Sequence, residues 1–376
     1  MPITKRERIE RSLNFDHPDR VPYTDSFQHA GLIHYYTDQK KKRSWETQDV
    51  IKLAAQVADM VQGWGLGPSM SKGERSVDRH GITWETDEWY SNIVERPFKT
   101  TKDYIAVLEK EIKRIKDASP NYPDTEQKMY LDDDLLMAPV KDFRDIFKHY
   151  LELLNGTVLM YPDVSPGFDH LYTLGGWEIF TEMFFEYQEV LIAYMEALTE
   201  MQIGRAHAIA DASLSPCVLI ACDIAHKEGP LVSPRFMAEH YFPRVKRIAL
   251  AYQKHGLKVF YHSEGNLWPM LEDLVGTGID GLNPCEPHSH MDVQDVRAKY
   301  PNLVLWGGVD NSYLLVNGTA EEVRQRVEGL KAFGKDGGLL IGSTGQVHPA
   351  CKLENLIAMI ETVNDQAKNI ELSKSQ

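Results

Sequence analysis

From residue 217 onward the chain alternates short, almost wholly apolar runs with helical stretches, and this rhythm limits its fold more than any other feature. The runs are 217–222, 257–261, 279–282, 303–306 and 338–341. Between the first two, Ser233 and Pro234 supply a cap and a first helical residue, and the periodic segment reaches His255 before Gly256 stops it. Helices over 269–275, 293–299 and 320–333 follow, the last opened by a Thr319/Glu322 capping box, and a final one begins near Leu353. Strands joined by helical crossovers run parallel, and strands this apolar are covered on both faces. A doubly wound sheet and a closed (β/α)8 barrel both satisfy that pattern. No GxGxxG follows the strands, so a dinucleotide fold has no local support. Polar residues instead stand at successive strand ends, where a barrel gathers them around one mouth. The expectation is α/β, a (β/α)8 TIM barrel.

The N-terminal half is less regular. Thr4 and Glu7 form a capping box for a helix to about Leu13, and 20–23 reads as a first strand with Asp25 just beyond it. Residues 81–98, rich in Thr, Trp, Tyr and Val, read as a β-hairpin excursion outside the barrel. A helix over 103–116, a strand over 158–161 and a long helix over 177–199 follow. No low-complexity linker divides the chain, so one domain over 1–376 with insertions around 80–98 is expected.

A net charge of −14 opposes a surface built to neutralise phosphates, which argues against nucleic acid as a partner. No apolar run approaches the roughly 20 residues of a membrane span. The charged N-terminus lacks the apolar core of a signal peptide, and four cysteines stand without framework spacing. Reduced thiols and a cytoplasmic location are therefore expected. The basic tract 40–43 reads as a solvated loop or helix end, with a docking patch for an acidic partner as the alternative.

Chemistry concentrates at the strand ends. His262 and Glu264 follow the run 257–261 two places apart, so an extended backbone points both the same way. An imidazole beside a carboxylate suits a divalent metal or a proton-transfer site; the bland alternative is a His bonded to a carbonyl and a Glu capping a turn. Asp223 closes the preceding strand and is read as a third metal ligand, an orienting acceptor for an imidazole, or a loop cap. His348 and Cys351 after the last strand, Glu286 and His288 after 279–282, Asp310 after Gly307–Gly308, and Asp25 are further candidates, each with a capping or packing alternative. Cys222 and Cys285 read as small core hydrophobes. Phe27, Trp177, Tyr241, Trp268 and Trp306 are read mainly as core, and together as possible walls of an apolar pocket for a ring.

These segments, in their order and spacing, resemble the uroporphyrinogen decarboxylase superfamily, whose members include porphyrinogen decarboxylases and cobalamin-linked methyltransferases. The resemblance rests on 5–22, Asp223 with 229–234, 255–258, 262–266, 278–284, 307–310 and 354–355. It implies a (β/α)8 barrel. The decarboxylases carry an arginine-rich stretch after the first strand; here 23–31 holds no arginine and one acid, which opposes a polyanionic tetrapyrrole. The methyltransferases hold zinc through His-x-Cys at this strand and a later Cys; here the pair is His262 and Glu264, and the later position falls near Gly345.

The resemblance thus implies a methyltransferase moving a methyl group from a small, methoxylated aromatic substrate to a corrinoid (cobalamin) on a partner protein. In this reading His262, Glu264, Asp223 and His348 are zinc ligands, and Asp223, His262, Glu264 and Asp310 carry the chemistry. Zinc accepts imidazole and carboxylate, and such a site polarises an ether oxygen. The rivals are a metal-free decarboxylase or lyase using His262 and Asp223, and a non-catalytic barrel that binds a tetrapyrrole or corrinoid. A homo-oligomer is allowed by every reading.

Overall fold

The computed structural model describes residues 3–37, 44–87, 89–118 and 143–365, excepting the side chains of Trp64, Ala118, Pro162 and Asp163. The basic tract 40–43 lies outside the described residues. Eight parallel strands close on themselves: β1 (Thr24–Asp25), β2 (Met60–Val61), β3 (Val158–Leu159, resumed as Tyr161–Val164), β4 (Cys217–Ala221), β5 (Lys258–His262), β6 (Gly281–Cys285), β7 (Val304–Val309) and β8 (Leu339–Ser343). Each pairs with the next, and single parallel bridges from Tyr23 to Ile341 and from Phe27 to Val347 join β8 back to β1. The architecture is the expected (β/α)8 barrel.

Strand alternation divides two cores. Met60, Val158, Cys217, Leu219, Phe260, Val304, Trp306 and Leu340 fill the barrel interior, while Val218, Ile220, Val259, Tyr261, Leu305 and Ile341 face the helices outside. The helix Lys5–Leu13 plugs the N-terminal end, adding Ile9 and Leu13 to the interior core. Each such buried side chain contributes roughly 1.5–3 kcal/mol. Beneath it, Asp59, fully buried just before β2, accepts from Arg8 at 2.6 Å, Arg20 at 2.7 Å and the Tyr23 amide at 2.8 Å.

Several boundaries differ from expectation. The first strand lies at 24–25, so Asp25 belongs to it and does not project from its end. The long helix over 177–199 is two, Trp177–Glu186 and Gln188–Ile209, broken at Tyr187 with φ −140°. The segment from Pro234 passes through a π-helical stretch, Met237–Tyr241, before Phe242–Gln253. The excursion is a three-stranded antiparallel sheet, Arg75–Val77, Thr83–Thr86 and Ser91–Glu95. The strand read at 279–282 is displaced to 281–285, which puts Asn283 inside it.

Candidate active site

His262 is the last residue of β5 and shares the inward parity of Phe260. In register it lies between Ala221 of β4 and Asn283 of β6. Its Nδ1 meets the Asn283 Oδ1 at 2.6 Å. Because a carbonyl oxygen only accepts, Nδ1 carries the proton in this arrangement and Nε2 keeps the lone pair. Nε2 stands 3.8 Å from Asp223 Oδ1, too far for a hydrogen bond.

The ends of β4 and β5 are stitched together. Asp223 Oδ1 accepts from the Glu264 amide at 3.0 Å, Ser263 Oγ accepts from the Ile224 amide at 3.0 Å, and the Cys222 amide donates to the His262 carbonyl. Gly265, with φ +92°, permits this approach, since a Cβ there would lie 2.7 Å from the His226 carbonyl oxygen. The Tyr172 hydroxyl donates to the Asp223 carbonyl and ties the loop to the helix Phe168–Gly175.

Glu264 opens onto the mouth yet is crowded by neighbouring atoms. Desolvation, then the Asp223 and Glu286 charges, push its carboxyl up to about 7, partly opposed by His262. Glu286 is itself held by the Ser289 hydroxyl at 2.7 Å and the Gly265 amide at 3.4 Å. None of the four residues following any barrel strand is lysine or arginine. The strand ends therefore bring acids and imidazoles together with no lysine or arginine of their own.

Gly345 completes the arrangement from β8. A Cβ at 345 would stand 3.1 Å from Glu264 Oε1 and 2.7 Å from Asn311 Nδ2. The carboxylate reaches toward the space that a side chain at 345 would fill.

Of the sequence candidates, His262, Glu264, Asp223 and Glu286 come together, and the others do not. Asp25 is buried in the barrel seam, accepting from the Ser343 amide and hydroxyl, the Ser26 amide and the Tyr23 hydroxyl. Burial pushes it up to about 6 in spite of those donors. Asp310 Oδ1 accepts from the Tyr313 and Leu314 amides, a capping role. His348 has Nε2 on the Asn311 carbonyl at 3.2 Å and Nδ1 accepting from the Ala350 amide, while its ring stacks on Trp89 from the excursion. Both ring nitrogens are thus engaged away from Glu264. Burial pushes the Cys285 thiol up to about 12 and Cys351 to about 11, so neither offers a thiolate at neutral pH. Phe27, Tyr241 and Trp306 are core, Trp268 donates to the His290 carbonyl, and Trp177 is half exposed, stacked on Tyr172.

Sequence reasoning gave no role to Asn283, Tyr172 or Trp89, and marked Gly345 only as the place where the later cysteine ligand of the methyltransferases would fall. Asn283 carried a readable signal: a lone amide within an apolar strand needs a partner.

A closed parallel barrel with titratable groups converging at the C-terminal ends of its strands is the arrangement of (β/α)8 enzymes. The chain belongs to the uroporphyrinogen decarboxylase (URO-D) family, whose model matches residues 168–366, more than half of it. No curated protein matches it by sequence. Among solved structures it is similar to a methyltransferase from Methanosarcina mazei, with 14% identity over 96% of this chain and 99% of that one, at a TM-score of 0.65. That likeness speaks to the fold. A xylose isomerase-like TIM barrel protein from Mycobacterium smegmatis in complex with magnesium aligns over 70% of this chain and 90% of its own, with 13% identity and a TM-score of 0.33. So low a score supports no argument about the site.

Proposed function

We propose that the chain is a methyl-transferring enzyme that takes a small methyl ether at the barrel mouth, with a divalent ion, zinc by preference, held by His262, Glu264 and Asp223. The observation that carries this reading is the Asp223–His262–Glu264 cluster, where one imidazole with an oriented lone pair lies near two carboxylates that no lysine or arginine among the described residues pairs with. As they stand, no three His, Cys, Asp or Glu side chains among the described residues meet in a metal-holding arrangement. The donor set is nonetheless of the kind zinc accepts, nitrogen with carboxylate oxygen, and the open space at Gly345 lies beside Glu264. When bound, the ion would act as a Lewis acid on the ether oxygen.

The chain's own groups do the rest. Asn283 fixes the imidazole's tautomer and direction, as partners of metal-bound histidines do. As a ligand Glu264 would be an ionised carboxylate, so the charge on the departing oxygen, an alkoxide or phenoxide that leaves poorly unaided, would be met by the bound ion and not by a Glu264 proton. A mouth without lysine or arginine at the strand ends suits a neutral substrate and opposes one with many carboxylates. The methyl acceptor in this proposal is a reduced corrinoid on a partner protein.

A second reading, a metal-free lyase or decarboxylase with Glu264 as its acid, draws on the same raised carboxyl and on the separation of the three groups. Elemental analysis after zinc exposure and dialysis separates the two. The methyltransferase reading expects one zinc per chain, lost in His262→Ala and Glu264→Gln, and methyl transfer to free reduced cobalamin followed by absorbance. Wild-type protein that takes up no zinc would leave the lyase.

A further inference from the structure

We propose that a second site, on the outer rim between the ends of β6 and β7, binds a planar lactam-type heterocycle, a single ring with an N–H beside a carbonyl. It does not depend on the mouth chemistry above. The site is a cleft of about 310 Å³ whose walls include His288, Gly308, Asp310, Tyr313 and Arg326, near the lower end of the roughly 300–1,000 Å³ of small-molecule pockets. The His288 and Tyr313 rings are parallel, with centroids 6.4 Å apart, and Tyr313 is 62% exposed although nothing else in the described fold covers it. Two such rings offer faces to a flat ligand.

The polar groups give that ligand its edge pattern. Asp310 is only 7% exposed; Oδ1 is used in capping, while Oδ2 is buried without a hydrogen-bond partner. A buried carboxylate oxygen left unpaired is costly, and an N–H supplied by a ligand would satisfy it. Arg326 spends Nε on the Gly308 carbonyl and Nη2 on Asp292, both at 2.8 Å, which leaves Nη1 to donate to a carbonyl. Asp292 already balances the guanidinium, so the cleft has no surplus positive charge and favours a neutral ligand over an anion. Lys227 donates to His288 Nε2 at 3.0 Å, which fixes the orientation of that ring.

Saturation-transfer NMR on the full chain with uracil tests this, uracil being a small flat ring with the required edge. Wild type should transfer saturation to the ring protons, and 1,3-dimethyluracil, which lacks the N–H donors, should bind about tenfold more weakly. Tyr313→Ala, a change at an exposed side chain, should weaken uracil by a similar factor, as should Arg326→Gln. His262→Ala should leave uracil binding as it is. No transfer at millimolar uracil, equal binding of the dimethyl compound, or unchanged binding in folded Tyr313→Ala would overturn the assignment. Loss of binding in His262→Ala would place the ligand in the mouth and overturn it equally.

Discussion

The two ends of this barrel treat their carboxylates in opposite ways. At the N-terminal end Asp59 is fully buried and gripped by Arg8, Arg20 and the Tyr23 amide. At the C-terminal end Asp223, Glu264 and Glu286 crowd together with His262, and no lysine or arginine among the described residues pairs with them. The first arrangement satisfies every charge and locks the plugging helix to the sheet. The second leaves charge unanswered at an opening to solvent, which is costly unless a ligand or a proton completes it. Stability residues at the bottom and chemistry at the top is the division this fold allows, because the βα loops are free of the packing that the N-terminal end must provide.

The largest effect should come from breaking the satisfied end. Asp59→Ala leaves Arg20 without its carboxylate and Arg8 with Asp19 alone, so unfolding in denaturant should show a loss of about 3 kcal/mol, the low end for breaking a buried pair. An unchanged midpoint would mean that the network is decorative. At the mouth, Glu264→Gln should barely alter the fold yet slow methyl transfer about 100-fold, the upper end of what disturbing a metal site costs. Full activity in that variant would remove Glu264 from the chemistry.

Two smaller changes probe how the mouth is held. Asn283→Ala frees the His262 ring, and zinc affinity measured by competition with a chelator should fall about tenfold, with thermal stability little changed. Gly345→Ala puts a methyl group against Glu264 Oε1 and Asn311 Nδ2. A displacement of a few tenths of an ångström should reduce the transfer rate about fivefold, an effect of misplacement and not of lost chemistry. If Gly345→Ala were silent, the carboxylate would not be using that space.

The contrast also explains what could be read from the sequence. Strand–helix alternation and the apolar strands announced a parallel sheet covered on both faces, and the polar residues at successive strand ends favoured its closure into a barrel. His262, Glu264 and Asp223 were legible since each follows such a strand at a fixed offset. Asp25 misled because a two-residue strand gives no end signal, and its four donors come from both sides of the seam. Asp310 and His348 stood at equivalent offsets, but local turns absorbed them: backbone amides at 313 and 314 for one, the Asn311 carbonyl and Ala350 amide for the other. Glycine at 345 was the hardest to see. Its contribution is an absence of atoms whose use depends on a strand 80 residues away in the chain.

The smallest expected effect is also the sharpest test of the unanswered end. Glu264 has an ordinary carboxyl pKa of 4.5 that desolvation and the neighbouring acids raise to about 7 in the fold. Between those values the folded chain binds the proton that the unfolded chain has released, so the linkage has a definite sign. The stabilising contribution is fully present below about pH 4.5 and is lost as pH rises through about 7. Solvent at the open mouth screens the effect, which leaves about 1 kcal/mol for measurement. In metal-free protein, Glu264→Gln should therefore gain stability over wild type at pH 8 and show no gain at pH 4.5. If wild type and Glu264→Gln kept a constant difference across that range, the crowding of acids at the mouth would carry no energetic tension, and the two ends of the barrel would not differ in the way proposed.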